Sequence, residues 1–208
     1  MIYKPIGMTI DQALHLSDAV GHAGVVSQMI LTNRYLPAMR QFLADAAGFV
    51  AHGGRAAFFG GGCMAGNYFG TPWRLVHGGL LDLGPHVLDG LDAALGTIVE
   101  VRAAGDRLGL VALTCRHESG IVSQASMSGT TPVEPSGLAI ELYGRTGRLA
   151  FDASAGDTAE LARQFSSAMT TITAEFAIAV RSEQSHPLDA HRGLHLQRLI
   201  AMAEESLG

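Results

Sequence analysis

The chain has 208 residues, 48% hydrophobic and 16% charged, enough for one domain with a core that buries on the order of 70% of its unfolded surface. A net charge of −5 without a basic patch argues against a nucleic-acid partner, and no apolar run approaches the roughly 20 residues that span a bilayer. The start carries no export-signal pattern, and the two cysteines, Cys63 and Cys115, form no motif, so a reduced, cytoplasmic setting is expected.

Residues 1–5 read as a short strand closed by Pro5. Thr9-Ile10-Asp11-Gln12 is a capping-box pattern opening a helix whose apolar face is Ile10, Ala13, Leu14 and Val20, and Gly24 ends it. Residues 25–31 suit a buried strand. This β-α-β start has no glycine-rich turn and looks like the tail of a doubly wound sheet. Pro37 opens a second helix with Met39, Phe42, Leu43 and Ala46 on one face. Residues 53–72 hold Gly60, Gly61, Gly62, Gly66 and Gly70 and read as loop. A third helix is expected over about 79–95. Strand-like runs follow at 97–103, 108–116, 121–128 and 138–143. The turns between them, such as Ala104-Gly105-Asp106 and Arg145-Thr146-Gly147, predict an antiparallel sheet. The run 108–115 is apolar on both parities, which predicts a strand buried on both faces. Two helices, about 157–181 and 188–206, close the chain. The expected class is α/β (α+β): an open, mainly antiparallel sheet with helices on one face, preceded by the short β-α-β unit.

Two features carry chemistry. Lys4 is the only lysine among 14 basic residues, in a chain that otherwise uses arginine. A lysine retained against that trend suits a task that arginine cannot perform, such as proton transfer with a tunable pKa. The second feature is Gly78-Gly79-Leu80-Leu81-Asp82-Leu83-Gly84-Pro85-His86-Val87-Leu88-Asp89. At helical spacing Asp82, His86 and Asp89 share a face, with Leu80, Leu81, Val87, Leu88, Leu91 and Leu95 packed inward. Asp82, one turn before His86, can orient the imidazole for acid–base work. A surface salt-bridge row and a metal site through the same three residues stand beside that reading. Gly84 leaves room for a ligand, and Pro85 threatens a kink.

The glycine pair through Asp89 resembles the signature helix of the Gfo/Idh/MocA oxidoreductases, the glucose–fructose oxidoreductase and inositol dehydrogenase family. Lys4-Pro5 is similar to the end of that family's Glu-Lys-Pro motif, with Tyr3 in the acidic position. Asn33-Arg34-Tyr35 before Pro37, Trp73-Arg74 ahead of the glycine pair, Ile140-Glu141-Leu142-Tyr143-Gly144 with Gly147, and Ala201 to Ser206 follow in the family's order. The resemblance implies Lys4, Asp82 and His86 as catalytic residues acting on a sugar, polyol or related alcohol. It also implies Arg34, Tyr35, Trp73, Arg74 and Asp89 as substrate-binding residues, and a homodimer or higher oligomer through the sheet face. On the same basis residues 1–33 are the remnant of a Rossmann-type domain, and residues 34–208 form the substrate-binding and oligomerisation domain. The family's dinucleotide fingerprint is absent, and Gly60-Gly61-Gly62 lacks a surrounding βαβ unit. The chain alone is therefore expected to bind no nucleotide tightly, with NAD(P) used only if a Rossmann half comes from a longer chain or a separate subunit. The alternatives are an isomerase, lyase or cyclase that needs no redox cofactor, and a non-catalytic binding subunit.

Overall fold

A computed structural model describes residues 1–208, the side chain of Thr158 excepted. The first strand, β1 (Ile2–Tyr3), leads into α1 (Ile10–Ala23) and then β2 (Met29–Ile30), which pairs with β1 in parallel. Thr9 caps α1 by accepting the Gln12 amide, the Gln12 side chain accepts the Met8 amide, and Gly24 closes the helix at φ 61°. The Leu188 carbonyl takes the Met29 amide at 2.6 Å, which ties β2 to the segment before the last helix. The strand expected over 25–31 is reduced to two residues, because only Met29 and Ile30 find a backbone partner strand.

A 3-10 turn (Thr32–Tyr35) and α2 (Pro37–Ala46) follow, the latter burying Met39, Phe42 and Ala46. The sheet is six-stranded. It contains β3 (Ala51–Phe59), β4 (Ile98–Gly105), β5 (Val111–His117), β6 (Val122–Ser128), β7 (Gly137–Gly144) and β8 (Gly147–Asp152), in the order β4-β5-β6-β3-β7-β8. The β3–β6 pair is parallel and the rest are antiparallel, so the sheet is mainly antiparallel as expected. Three helices complete the chain: α3 (Pro72–Leu95), α4 (Thr158–Ser182) and α5 (Ala190–Leu207). α2, α3 and α5 pack against one side of the sheet, while α1 packs on α5.

The expectation of a loop over 53–72 fails in its first part. β3 is the strand between β6 and β7, and its glycines are demanded by that position. A Cβ on Gly53 would sit 2.9 Å from the Val122 carbonyl oxygen, and one on Gly54 would sit 3.0 Å from the Glu141 oxygen. β5 is not buried on both faces. Leu108 and Leu110 lie in the turn before it, and from Val111 onward Val111, Leu113, Cys115 and His117 are buried while Thr114 and Arg116 are exposed.

α3 is the axis of the molecule. Every residue from Gly78 to Asp92 is buried, so the helix is sheathed all round rather than packed on a single face. Its break lies at Gly78 (φ 70°, ψ −164°), and Pro85 is accommodated within continuous helix. A Cβ on Gly78 would meet the Arg107 carbonyl oxygen at 2.0 Å, and one on Gly79 the Gly129 amide at 2.8 Å. The glycine pair thus lets the sheet's turns approach the helix backbone. Gly84 faces Leu80 and Ile200, not a ligand space. Among the described residues no helix is long and apolar enough to cross a membrane.

Candidate active site

A cavity of about 480 Å³ opens where β1, the end of β3, the 60–71 connection, α3 and α4 meet. Its floor holds Lys4, Arg74, Asp82 and His86; Phe58, Phe69 and Phe165 give it apolar walls. Lys4 directly follows β1, and α3 delivers the other three.

The Lys4 ammonium donates to the Asp82 carbonyl oxygen and to Asp82 Oδ1, each at 2.5 Å. Arg74 Nε lies 3.0 Å from the same Oδ1. The side chains of Lys4 and Asp82 are only 12% and 8% exposed, so this is a largely desolvated charge cluster. Burial pulls the Lys4 amine below its usual value against the attraction of Asp82, with the Arg74 cation adding to the downward pull. Burial pushes the Asp82 carboxyl upward, but Lys4 and Arg74 outweigh it and hold the carboxyl below the usual range.

His86 is also buried, with its ring tilted against Phe58 at 6.2 Å between centroids. Burial, helped by the Lys4 cation and opposed by Asp82, lowers its pKa to about 3. The imidazole is therefore neutral at physiological pH, and its Nδ1 has no protein partner among the described residues. The role expected of Asp82 changes accordingly: its carboxylate is occupied by Lys4 and Arg74 and orients the lysine, not the imidazole ring. A surface salt-bridge row is excluded, since Asp82, His86 and Asp89 are 6%, 8% and 1% exposed. No cluster of three or more metal-ligating side chains occurs among the described residues.

The other residues singled out by resemblance are not on this cavity, Arg74 excepted. Asp89 accepts from Arg34 Nη1 at 3.0 Å and from Arg192 Nε at 2.8 Å. Asp92 accepts from Arg192 Nη1 at 2.5 Å, from His195 Nε2 at 2.8 Å and from the Ile98 amide at 2.8 Å. Burial raises the Asp92 carboxyl, but these partners bring it down to about 2. This network pins the 3-10 turn, α3, α5 and the start of β4 together, so Arg34 and Asp89 serve architecture. Tyr35 is 2% exposed and its hydroxyl accepts from Gln28 Nε2 at 2.7 Å. Trp73 packs on the core edge with the Arg74 guanidinium 4.5 Å above its ring. Sequence reasoning missed the cavity residues Asn67, Glu134 and Ser136, and the nearby Cys63 thiol, which burial pushes up to about 11 with the Asp82 charge adding to the rise. No spacing rule connects those positions to α3.

The β1–α1 turn offers no cradle for a dinucleotide. A Cβ on Gly7 would strike the Ala13 amide nitrogen at 2.7 Å, so that glycine packs on the helix's own backbone, and Thr9 already caps the helix.

No family model and no curated protein matches the sequence. Solved structures do. A putative NADPH-dependent oxidoreductase from Desulfitobacterium hafniense superposes with a TM-score of 0.82 at 18% identity, over 99% of this chain and 69% of that one. GenD2 from gentamicin A biosynthesis, solved with NAD, gives 0.81 at 20% identity over 98% and 68%. A myo-inositol dehydrogenase from Corynebacterium glutamicum gives 0.77 at 19% over 99% and 69%.

Proposed function

We propose that this chain, whose fold is that of the C-terminal domain of Gfo/Idh/MocA-type dehydrogenases, is the substrate-binding and acid–base part of an oxidoreductase acting on a sugar, polyol or related alcohol. The observation that carries the reading is the convergence of Lys4, Asp82 and His86 on one largely buried cavity. His86, neutral and with Nδ1 free of protein partners among the described residues, is the acceptor placed for the proton of a substrate hydroxyl, and negative charge developing on that oxygen would raise its low basicity. The Lys4 ammonium, steered by Asp82, is placed to hydrogen-bond the same oxygen and stabilise the negative charge that develops there.

The residues present do not fit a nicotinamide dinucleotide, for the reasons given for Gly7 and Thr9, so the nucleotide seat of an oxidoreductase must be supplied by another segment or a partner subunit. That mismatch also favours a second reading, an isomerase or lyase that uses the same proton-transfer groups without a redox cofactor. A panel of polyols, sugars and their keto forms, assayed with the full native chain and its partners, separates the two. Alcohol oxidation that depends on NAD(P) supports the first reading. Turnover that ignores NAD(P) supports the second, and no turnover of any member would count against both.

A further inference from the structure

Arg74 and Asp82 are eight residues apart, which on an unbroken helix is about 12 Å along the axis and on a different side. In α3 they touch, because the non-helical Gly78 redirects the first turns of the helix. The guanidinium is held from several directions. Its Nε forms an ion pair with Asp82 Oδ1 at 3.0 Å without hydrogen-bond geometry, its Nη1 donates to the Phe69 carbonyl at 3.3 Å and to Thr71 Oγ1 at 3.2 Å, and its central carbon lies 4.5 Å from the Trp73 ring centroid and 5.9 Å from that of Phe69. Asp82 Oδ1 is the very atom that Lys4 grips.

We propose that Arg74 is a positioning residue of this site: by sharing Oδ1 of Asp82 with Lys4 it leaves the ammonium held but incompletely neutralised, and it ties the Phe69 wall of the cavity to the same carboxylate. The role of the held lysine rests on the proposed function; the coupling itself rests on geometry alone. A guanidinium cannot lose its proton under ordinary conditions, so it is a fixed positive charge beside a titratable one. The charged and titratable groups around Lys4 are Asp82, Arg74 and His86 from α3, Cys63 from the 60–71 connection, its chain neighbour Tyr3 at the end of β1 and Glu134 across the cavity. Of these, Arg74 is the cation that lowers the Lys4 pKa directly while also competing for its counter-ion.

Because Lys4 is the only lysine, the test is unusually clean. Lysine labelled with ¹⁵N at Nζ gives a single side-chain signal whose titration reads this amine and no other. In the wild-type protein the Arg74 ¹⁵Nε resonance is expected to move with the Lys4 transition. In Arg74→Gln and Arg74→Met, loss of the competing cation returns the whole of Oδ1 to Lys4, and its midpoint rises by about one unit. An Arg74 Nε signal that stays still through the Lys4 transition overturns the proposal, as does an unchanged midpoint in either folded variant. If neither variant folds, the wild-type measurement decides. No substrate is involved, so an inactive protein with coupled Lys4 and Arg74 would sink the proposed function and leave this coupling standing.

Discussion

At the scale of single residues, His86 makes the sharpest commitment. Its folded-state pKa of about 3 lies below the ordinary 6.5, so the unfolded chain binds the extra proton first as pH falls. The stabilising contribution is complete above about pH 6.5 and drains away toward pH 3, at about 1.4 kcal/mol per unit in the limiting case. Asp82, with its lowered pKa, loses stability in the same direction at lower pH. His86→Gln keeps a polar side chain without the titration. Urea unfolding at a series of pH values between 4.5 and 7 should therefore give a shallower fall for this variant than for the wild type. Parallel slopes would mean that the imidazole is protonated in the folded state. The lone lysine and the i, i+4 pair are each visible in one dimension, and the family resemblance joined Lys4, Asp82 and His86 as a group. The sequence misassigned their partners. Asp82 at helical spacing points toward His86 on paper, but the kink at Gly78 and the segment after β1 that holds Lys4 bring cations to the carboxylate first.

At the scale of elements, α3 carries two charge clusters with different duties. Asp82 faces the cavity, and Asp89 and Asp92 bind Arg34, Arg192 and His195 in the interior. Removing the charge of Asp89, 1% exposed, takes the carboxylate from Arg34 and leaves Arg192 with Asp92 alone, and should cost about 3–5 kcal/mol in Asp89→Asn, measured by chemical unfolding. The Lys4 titration should be untouched, and a shift there would mean that the clusters are linked. Periodicity made the helices legible: the Thr9 cap, Pro37 at the start of α2 and Gly24 at the end of α1 all fall where their chemistry requires. β3 was hidden because its opening residues, Ala51 to Ala57, are mostly small and carry no alternation. The reason is three-dimensional: strands β6 and β7 crowd it from both sides. β8 was missed as well, since Gly147 to Asp152 alternates only weakly.

At the scale of the whole molecule, helices occupy one side of the sheet and leave the other open. The open side presents small residues, Ala57, Ala112, Ser126 and Ala139, beside a charged patch in which Glu141 pairs with Arg55 and Arg148. An antiparallel sheet tolerates one wet face, but a flat surface of small side chains also suits a second copy burying more than about 1,000 Å². Light scattering at micromolar protein is expected to give a multiple of the monomer mass, and Ala57→Arg to shift it toward the monomer. A wild-type monomer would leave this face to solvent.

The central claim is that Lys4 and His86 handle the proton of a substrate hydroxyl. The measurement that tests it most directly is kcat for Lys4→Met and His86→Gln, on whichever alcohol the wild-type protein turns over, with folding checked by circular dichroism. Each folded variant is expected to lose about 10²–10⁴-fold in kcat. Wild-type turnover in either would contradict it.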